Sequence, residues 1–256
     1  MPRSSLIVAS VLVAAVASAT AATPSPPATA VPPPSPVVIK LSQTKPDRTR
    51  VVQLFDGGGG LPVLGSQVSY SAGDWENALR SFHDLGAYET EIAQIDDLAA
   101  TYVARKAGRK RALVLDVDET ALSNYSAIDA DDFTFGTHSQ GEATNEIGVA
   151  IQPTLDLFNL AKAKGVAVFF VSERRENTRD HTTSNLQREG YSDWTQLILK
   201  PDDSILSNVE YKSGARTAIE QQGFRIIASV GDQYSDLAGG HEDTGFKLPN
   251  PFYFKP

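Results

Sequence analysis

The stretch "RALVLDVDET" (Arg111–Thr120) passes from an apolar run into charge, and how it is read decides the fold. Ala112, Leu113, Val114 and Leu115 suit a strand covered on both faces, as in a parallel sheet. Asp116 and Asp118 follow, with Glu119 and Thr120 beside them. In extended chain, residues two apart point the same way, so both aspartates can face one site. Two close carboxylates do not ionise together unless a cation or a shared proton offsets their repulsion. An apolar strand reaching an ordinary polar loop would look the same over these residues. The rest of the chain has to decide.

Downstream the pattern recurs. A helix is expected from near Pro153, a favoured first-turn residue. "VAVFFV" (Val166–Val171) reads as a second buried strand, and "ENTRDHTTSNLQRE" as a helix stopped by Gly190. "QLILK" is a short third strand, "YKSGARTAIEQQ" a helix stopped by Gly223, and "RIIASV" (Arg225–Val230) a fourth strand. Upstream, Tyr88, Ile92, Ile95, Ala99 and Tyr102 recur at helical spacing, so the chain from about Asp74 to Lys106 is expected to be helical. Strands alternating with helices imply an α/β fold, a Rossmann-like parallel sheet flanked by helices. Ligands in such sheets bind beyond the carboxyl ends of the strands. Asp116 and Asp118 end the first strand, Ser172 the second, and Asp232 the fourth, in "VGDQYSD". If these strands are neighbours, their ends converge.

The amino-terminal part reads differently. Arg3 precedes the apolar run "LIVASVLVAAVA" (Leu6–Ala17) and the small residues "ASATAA", a pattern that suits a secretory signal peptide cleaved after Ala19 or Ala21. "TPSPPATAVPPPSP" (Thr23–Pro36) is too rich in proline for a helix or a central strand and reads as an extended tether. The glycines of "DGGGGLP" lack the Gly-Lys-Ser/Thr of a phosphate-binding loop. The 256-residue chain has no cysteine, which excludes disulfides, thiolate zinc sites and a cysteine nucleophile. A net charge of −8 argues against a nucleic-acid polymer as partner. It does not bar a small phosphorylated substrate, and the signal, once removed, leaves no membrane segment expected.

Asp116, Asp118, Asp232 and Asp236 form an oxygen-rich set suited to a hard cation such as Mg2+, which keeps waters and completes its shell with phosphate oxygens. Lys212 can place positive charge against a phosphate, Ser172 a hydroxyl, and the helix after it backbone N–H groups. These are the needs of phosphoryl transfer: an attacking carboxylate, donors for the equatorial oxygens and an acid for the leaving group.

"LVLDVDETALSN", "VFFVSERRENTRD", "VEYKSGAR" and "SVGDQYSDL" resemble, in order, the four motifs of the haloacid dehalogenase superfamily. They are most similar to its acid phosphatase branch, which includes plant vegetative storage protein-like phosphatases and bacterial secreted or lipoprotein acid phosphatases. The ending "FKLPNPFYF" resembles the ending of that branch, so the resemblance runs from about Asp74 to the carboxyl terminus. It implies an aspartyl-phosphate route, with Asp116 as nucleophile and Asp118 as general acid and then base. Mg2+ would be held by Asp116, the backbone carbonyl of Asp118, and Asp232, with Asp236 supporting its waters or Lys212. Ser172, Glu173, Arg174 and Lys212 would bind the phosphoryl group, and Thr120 would brace the loop. Where the second motif often reads Thr-Gly-Arg, this chain has Ser172-Glu173-Arg174.

The domain expectation is a signal peptide over 1–21, a tether over 22–45 and a phosphatase domain over 46–256, its helical part at 74–108 and a cap insertion at about 123–150. Tyr125, Phe133 and Phe135 in the cap either stack on an aromatic leaving group such as a nucleoside or pack the cap's own core. Trp75 and Tyr88 are further aromatics able to approach the cleft. His83, His138, His181 and His241 lack paired ligand spacing or an Arg-His-Gly-type motif. Together these features predict an exported, periplasmic or secreted, bacterial enzyme acting on a small phosphomonoester, with a homodimer compatible. The rivals are a storage or binding protein that kept the fold, and a phosphotransferase that passes the phosphoryl group to an alcohol.

Overall fold

The computed structural model of the chain describes residues 36–40, 50–54, 72–134 and 136–255. The leader, most of the tether and Phe135 lie outside the described residues. Alternation of side chains along the strands shows how the sheet is buried. Leu113 and Leu115 of β3 (Arg111–Leu115) join one core cluster, while Ala112 and Val114 join another. Along β6 (Ala167–Arg175), Val168 and Phe170 fall with the first cluster and Phe169 and Val171 with the second. Apolar groups on both faces are what a run such as "ALVL" requires, and they leave the sheet no wet side.

Helices supply the two covers. On one face, α2 (Ala87–Lys106) presents Ile92, Ile95, Ala99 and Val103, and α6 (Gln152–Ala163) presents Leu157, Phe158 and Ala161. On the other, α8 (Asn208–Gln221) presents Tyr211, Ala215 and Ile219. The remaining strands of the main sheet are β1 (Pro36–Lys40), β2 (Arg50–Leu54), β7 (Gln196–Lys200), β8 (Arg225–Gly231) and β9 (Thr244–Lys247). Among the described residues, the seven strands of this sheet run in the order β1-β2-β9-β8-β3-β6-β7. Each neighbouring pair is parallel except β1 with β2. The fold is therefore α/β with a mostly parallel sheet, and β3 lies between β8 and β6, so the three strand ends that carry Asp116, Asp232 and Ser172 are adjacent.

Three differences from the sequence reading have physical causes. The sheet reaches into the stretch read as tether: "PVVIK" forms β1 because its β-branched residues favour extended pairing once β2 is beside it. The helical segment from Asp74 is two helices, α1 (Ala72–Asp84) and α2, because Gly86 takes a left-handed φ of 80° between them. "TGFK" is too short and glycine-broken to show strand alternation in sequence, yet it pairs with both β8 and β2 as β9.

Between β3 and α6 the chain forms a small cap. It rises from β4 (Leu122–Ser123), passes through α3 (Tyr125–Ala130), α4 (Thr137–Gln140) and α5 (Glu142–Asn145), and returns by β5 (Val149–Ala150), which pairs antiparallel with β4. Arg80 of α1 ties the cap down, reaching Asp129 at 2.6 Å and Asp132 at 2.7 Å. After β6 the chain enters α7 (Arg179–Arg188) through a single 3-10 turn.

Candidate active site

Asp116 is the first residue past β3, and its N–H still bonds the Val230 carbonyl of β8 at 3.0 Å. That ladder bond holds the carboxylate beside the end of β8, where Asp232 and Asp236 lie. One carboxylate oxygen from each of Asp116, Asp232 and Asp236 lies within 4.8 Å of the others, and all three residues are buried. Lys212, from the first turns of α8, donates to Asp116 at 2.8 Å and also to Asp236. Gly231 is needed for this approach, since a Cβ there would sit 2.2 Å from the Asp236 carboxylate. Arg216, fully buried on α8, pairs with Glu242 at 2.9 Å and bonds the backbone carbonyls of Asp236, Ala238 and Gly240, which fixes the loop that carries Asp236.

The electrostatics of this cluster are those of a cation site. Burial pushes the Asp116 carboxyl well up, and the charges of Asp236, Asp232 and Asp118 add to the effect, with Lys212 opposing. Burial and Asp236 likewise push Asp232 up, against Lys247, Asn250 and Gln233. Burial works against the Lys212 ammonium, but Asp116, Asp236 and Glu173 outweigh it and hold its pKa high. Lys212 between Asp116 and Asp236, with Lys247 acting on Asp232 and Asp236, still leaves three buried carboxylates in anionic excess, which a divalent ion would neutralise. The donor set fits: hard oxygen ligands, close together and shielded from water.

Asp118 points elsewhere. Arg174 clamps it, with Nε at 3.1 Å from both oxygens and Nη2 at 2.6 Å from Oδ1, and Asn124 donates to Oδ1 at 2.8 Å. Burial alone would raise this carboxyl, but the charge and hydrogen bonds of Arg174, with Lys255 and Asn124, hold it at about 2. Ser172 is fully buried and its Oγ accepts the Arg174 N–H at 3.1 Å. The ladder between β6 and β7 shifts register between Ser172 and Arg175, which swings Glu173 and Arg174 out of the strand pattern.

Comparison with known proteins decides membership. The model of the HAD superfamily, subfamily IIIB (Acid phosphatase), matches residues 71–256. The chain belongs to that acid phosphatase family. It is 35% identical over 180 residues to "Acid phosphatase 1" of Solanum lycopersicum, covering 65% of this chain and 69% of the tomato protein. It is 32% identical over 150 residues to "Vegetative storage protein 1" of Arabidopsis thaliana, covering 56% of this chain and 55% of that protein. The class C acid phosphatase of Bacillus anthracis shares the fold, with a TM-score of 0.58 at 20% identity, covering 72% of this chain and 86% of the other. The two sequence relatives are plant proteins and lend no support to the bacterial origin read from the leader. Among the described residues no helix is long and apolar enough to cross a membrane.

The structure gives each motif residue its partners. Asp116, Lys212, Asp232 and Asp236 come together. Thr120 donates to Asp232 at 3.3 Å. Glu173, grouped in the sequence reading with the phosphate-binding residues, is paired with Lys255 at 2.6 Å; a carboxylate side chain repels a phosphate. Arg174 is engaged with Asp118 and with Thr182 at 3.3 Å. In the cap, Tyr125 stacks on His83 of α1 with ring centroids 3.4 Å apart, and Phe133 stacks on Phe252 at 5.9 Å. Tyr88 is buried against Phe252, and Trp75 is exposed on α1. Phe133, Phe252, Tyr253 and Lys255 also line a small cleft beside the site, with Ile128, Thr134 and Ser139.

Several site residues escaped the sequence reading. Glu119, fully buried at a left-handed φ of 49°, accepts the Asn124 N–H at 2.6 Å and the Tyr253 hydroxyl at 2.6 Å. Asn250 donates to Asp232 Oδ2 at 2.7 Å. The one available signal for the tail residues was the "FKLPNPFYF" ending, which marked the family without saying what it touches.

Proposed function

We propose that this acid phosphatase hydrolyses small phosphomonoesters in two steps through a phosphoaspartate on Asp116, with Mg2+ in the aspartate cluster. The observation that carries the reading is the buried trio Asp116, Asp232 and Asp236 bridged by Lys212 at the ends of adjacent strands. Asp116 and Asp232, with the Asp118 backbone carbonyl, would hold the ion, and Asp236 would support its waters. When bound, Mg2+ lowers the repulsion around Asp116 and offsets charge on the phosphoryl oxygens.

The chain's own groups divide the remaining work. The Asp116 carboxylate attacks phosphorus as the ester oxygen departs, and Asp118 gives that oxygen its proton. Water then attacks phosphorus, Asp118 accepts the water's proton, and the Asp116–phosphorus bond breaks to release phosphate. Lys212 and the Ser172 hydroxyl neutralise the equatorial oxygens. For Asp118 to carry a proton, Arg174 must turn from its carboxylate toward the substrate. A phosphate dianion is a strong bidentate competitor for that guanidinium. Arg174 thus serves as a phosphate ligand only once substrate arrives.

Export rests on the leader over residues 1–21, which a proline-rich stretch joins to a phosphatase domain whose sheet begins with β1. Relatives that bear the name of storage proteins make loss of turnover the competing reading. The presence here of Asp116, Asp118, Ser172, Lys212 and Asp232 together counts against it. The test is hydrolysis of p-nitrophenyl phosphate by the mature protein, with Mg2+ or with chelator, beside an Asp116→Asn variant. Metal-dependent turnover that vanishes in the variant is the expected result. A folded wild-type protein without turnover at any pH would leave the storage reading.

A further inference from the structure

The last residues of the chain make a set of contacts that neither the motif chemistry nor the fold requires. Asn250 donates from Nδ2 to Asp232 Oδ2 at 2.7 Å. Its own Oδ1 accepts the backbone N–H groups of Phe252 at 2.9 Å and Tyr253 at 3.4 Å, so the amide is oriented by the turn it sits in. Phe252 enters the aromatic group under the cap, 4.9 Å from Tyr88 and 5.3 Å from Tyr125. The Tyr253 hydroxyl reaches Glu119, and Lys255 pairs with Glu173 while its N–H bonds Gln233 Oε1 at 3.1 Å. Within this six-residue stretch, Asn250, Phe252, Tyr253 and Lys255 therefore touch the loops after β3 and β8, the end of β6 and the cap as well.

We propose that Asn250–Lys255 is a strap that aims the metal-binding carboxylate, with Asn250 as the positioning residue for Asp232. This rests on the reading of the aspartate cluster as a divalent-ion site. Asp232 Oδ2 receives two amide donors, Asn250 at 2.7 Å and Gln233 at 2.6 Å. Oδ1 receives the longer bond from Thr120 at 3.3 Å. Two short bonds on one oxygen hold the carboxylate plane and leave Oδ1 as the better-disposed ligand atom. Gln233 is itself held by the strap, through the Lys255 N–H, so both donors on Oδ2 depend on the tail. Outer-shell partners of this kind typically change metal affinity 10–100-fold when removed.

The experiment is calorimetric titration of the mature protein with Mg2+ alone, for wild type, Asn250→Ala and Asn250→Ser, together with melting temperatures in chelator. Serine can keep a local turn bond to its own backbone but is too short to reach Asp232, so it separates loss of the strap's aim from loss of the tail's shape. The expected result is a Kd for Mg2+ raised at least tenfold in both variants. In chelator, the serine variant should melt within a few degrees of wild type. Unchanged Mg2+ affinity in a folded serine variant would overturn the strap and leave the metal site standing. A folded wild-type protein that binds no Mg2+ would overturn the strap and the metal site together.

Discussion

Asp96 should make this protein more stable in acid. The residue lies on α2 with 2% of its surface exposed, and Thr154 of α6 donates to its Oδ2 at 2.8 Å while Oδ1 has no hydrogen-bond partner. Burial raises the carboxyl from 3.8 to about 7, the Thr154 bond opposing and the charge of Asp97 adding. In the unfolded chain the group would release its proton near the ordinary value. Between about pH 4 and 7 the folded state binds more protons, so stability falls as pH rises and the penalty is complete above the folded pKa. At 1.36 kcal/mol per unit, a rise of about three units costs at most about 4 kcal/mol. Asp96→Asn keeps the Thr154 bond and cannot ionise, but it buries an amide lacking an acceptor, a pH-independent cost of about 1–3 kcal/mol. The variant should melt below wild type at pH 4.5 and above it at pH 8. The two differences should span roughly ten degrees, at about 2–4 °C per kcal/mol. Circular-dichroism melts across that range, with Mg2+ present to quiet the aspartate cluster, make the comparison. A difference between the two proteins that stays constant with pH would refute the reasoning.

Other perturbations address the site. Lys212→Met leaves Asp116 and Asp236 buried without their shared cation, so it should cost about 3–5 kcal/mol in chelator and abolish turnover of p-nitrophenyl phosphate. Chemical denaturation and the phosphatase assay read the two effects separately. Mg2+ at a hundred times its Kd should stabilise wild type by about 2.7 kcal/mol, read as a higher melting point, and Asp232→Asn should lose that shift. Gly231→Ala drives a methyl into the Asp236 carboxylate and should lower kcat more than tenfold while the fold survives, checked by kinetics beside a far-ultraviolet spectrum. Ile95→Ala, in the middle of the α2 face, should cost about 2–5 kcal/mol in urea unfolding without changing KM.

Much of this was legible along the chain because it is local. A run such as "RALVLD" states by its composition that it is buried on both faces, and the carboxylates that close it fall at the strand end where an α/β sheet binds ligands. The order of the four motifs, and the lack of cysteine, narrowed the chemistry further. Direction and partnership were not legible. No spacing rule says that Arg174 turns to Asp118, 56 positions earlier, or that Glu173 meets Lys255. The cap aromatics likewise found their partners on α1 and the tail, where Tyr125 meets His83 and Phe133 meets Phe252.

The strand-helix alternation, the character of β3 as a doubly buried strand, and the carboxylates and lysine offered for phosphoryl transfer are thus all local properties of the chain. Folding in three dimensions sets β3 between β8 and β6, which is what brings Asp116 to Asp232 and Asp236. It also decided that the tail folds back so that Tyr253 meets Glu119 across 134 positions. Periodicity is enforced by the backbone within a few residues, whereas such pairings are set by how the burial of whole faces is shared among distant elements, and no short window of sequence carries that information.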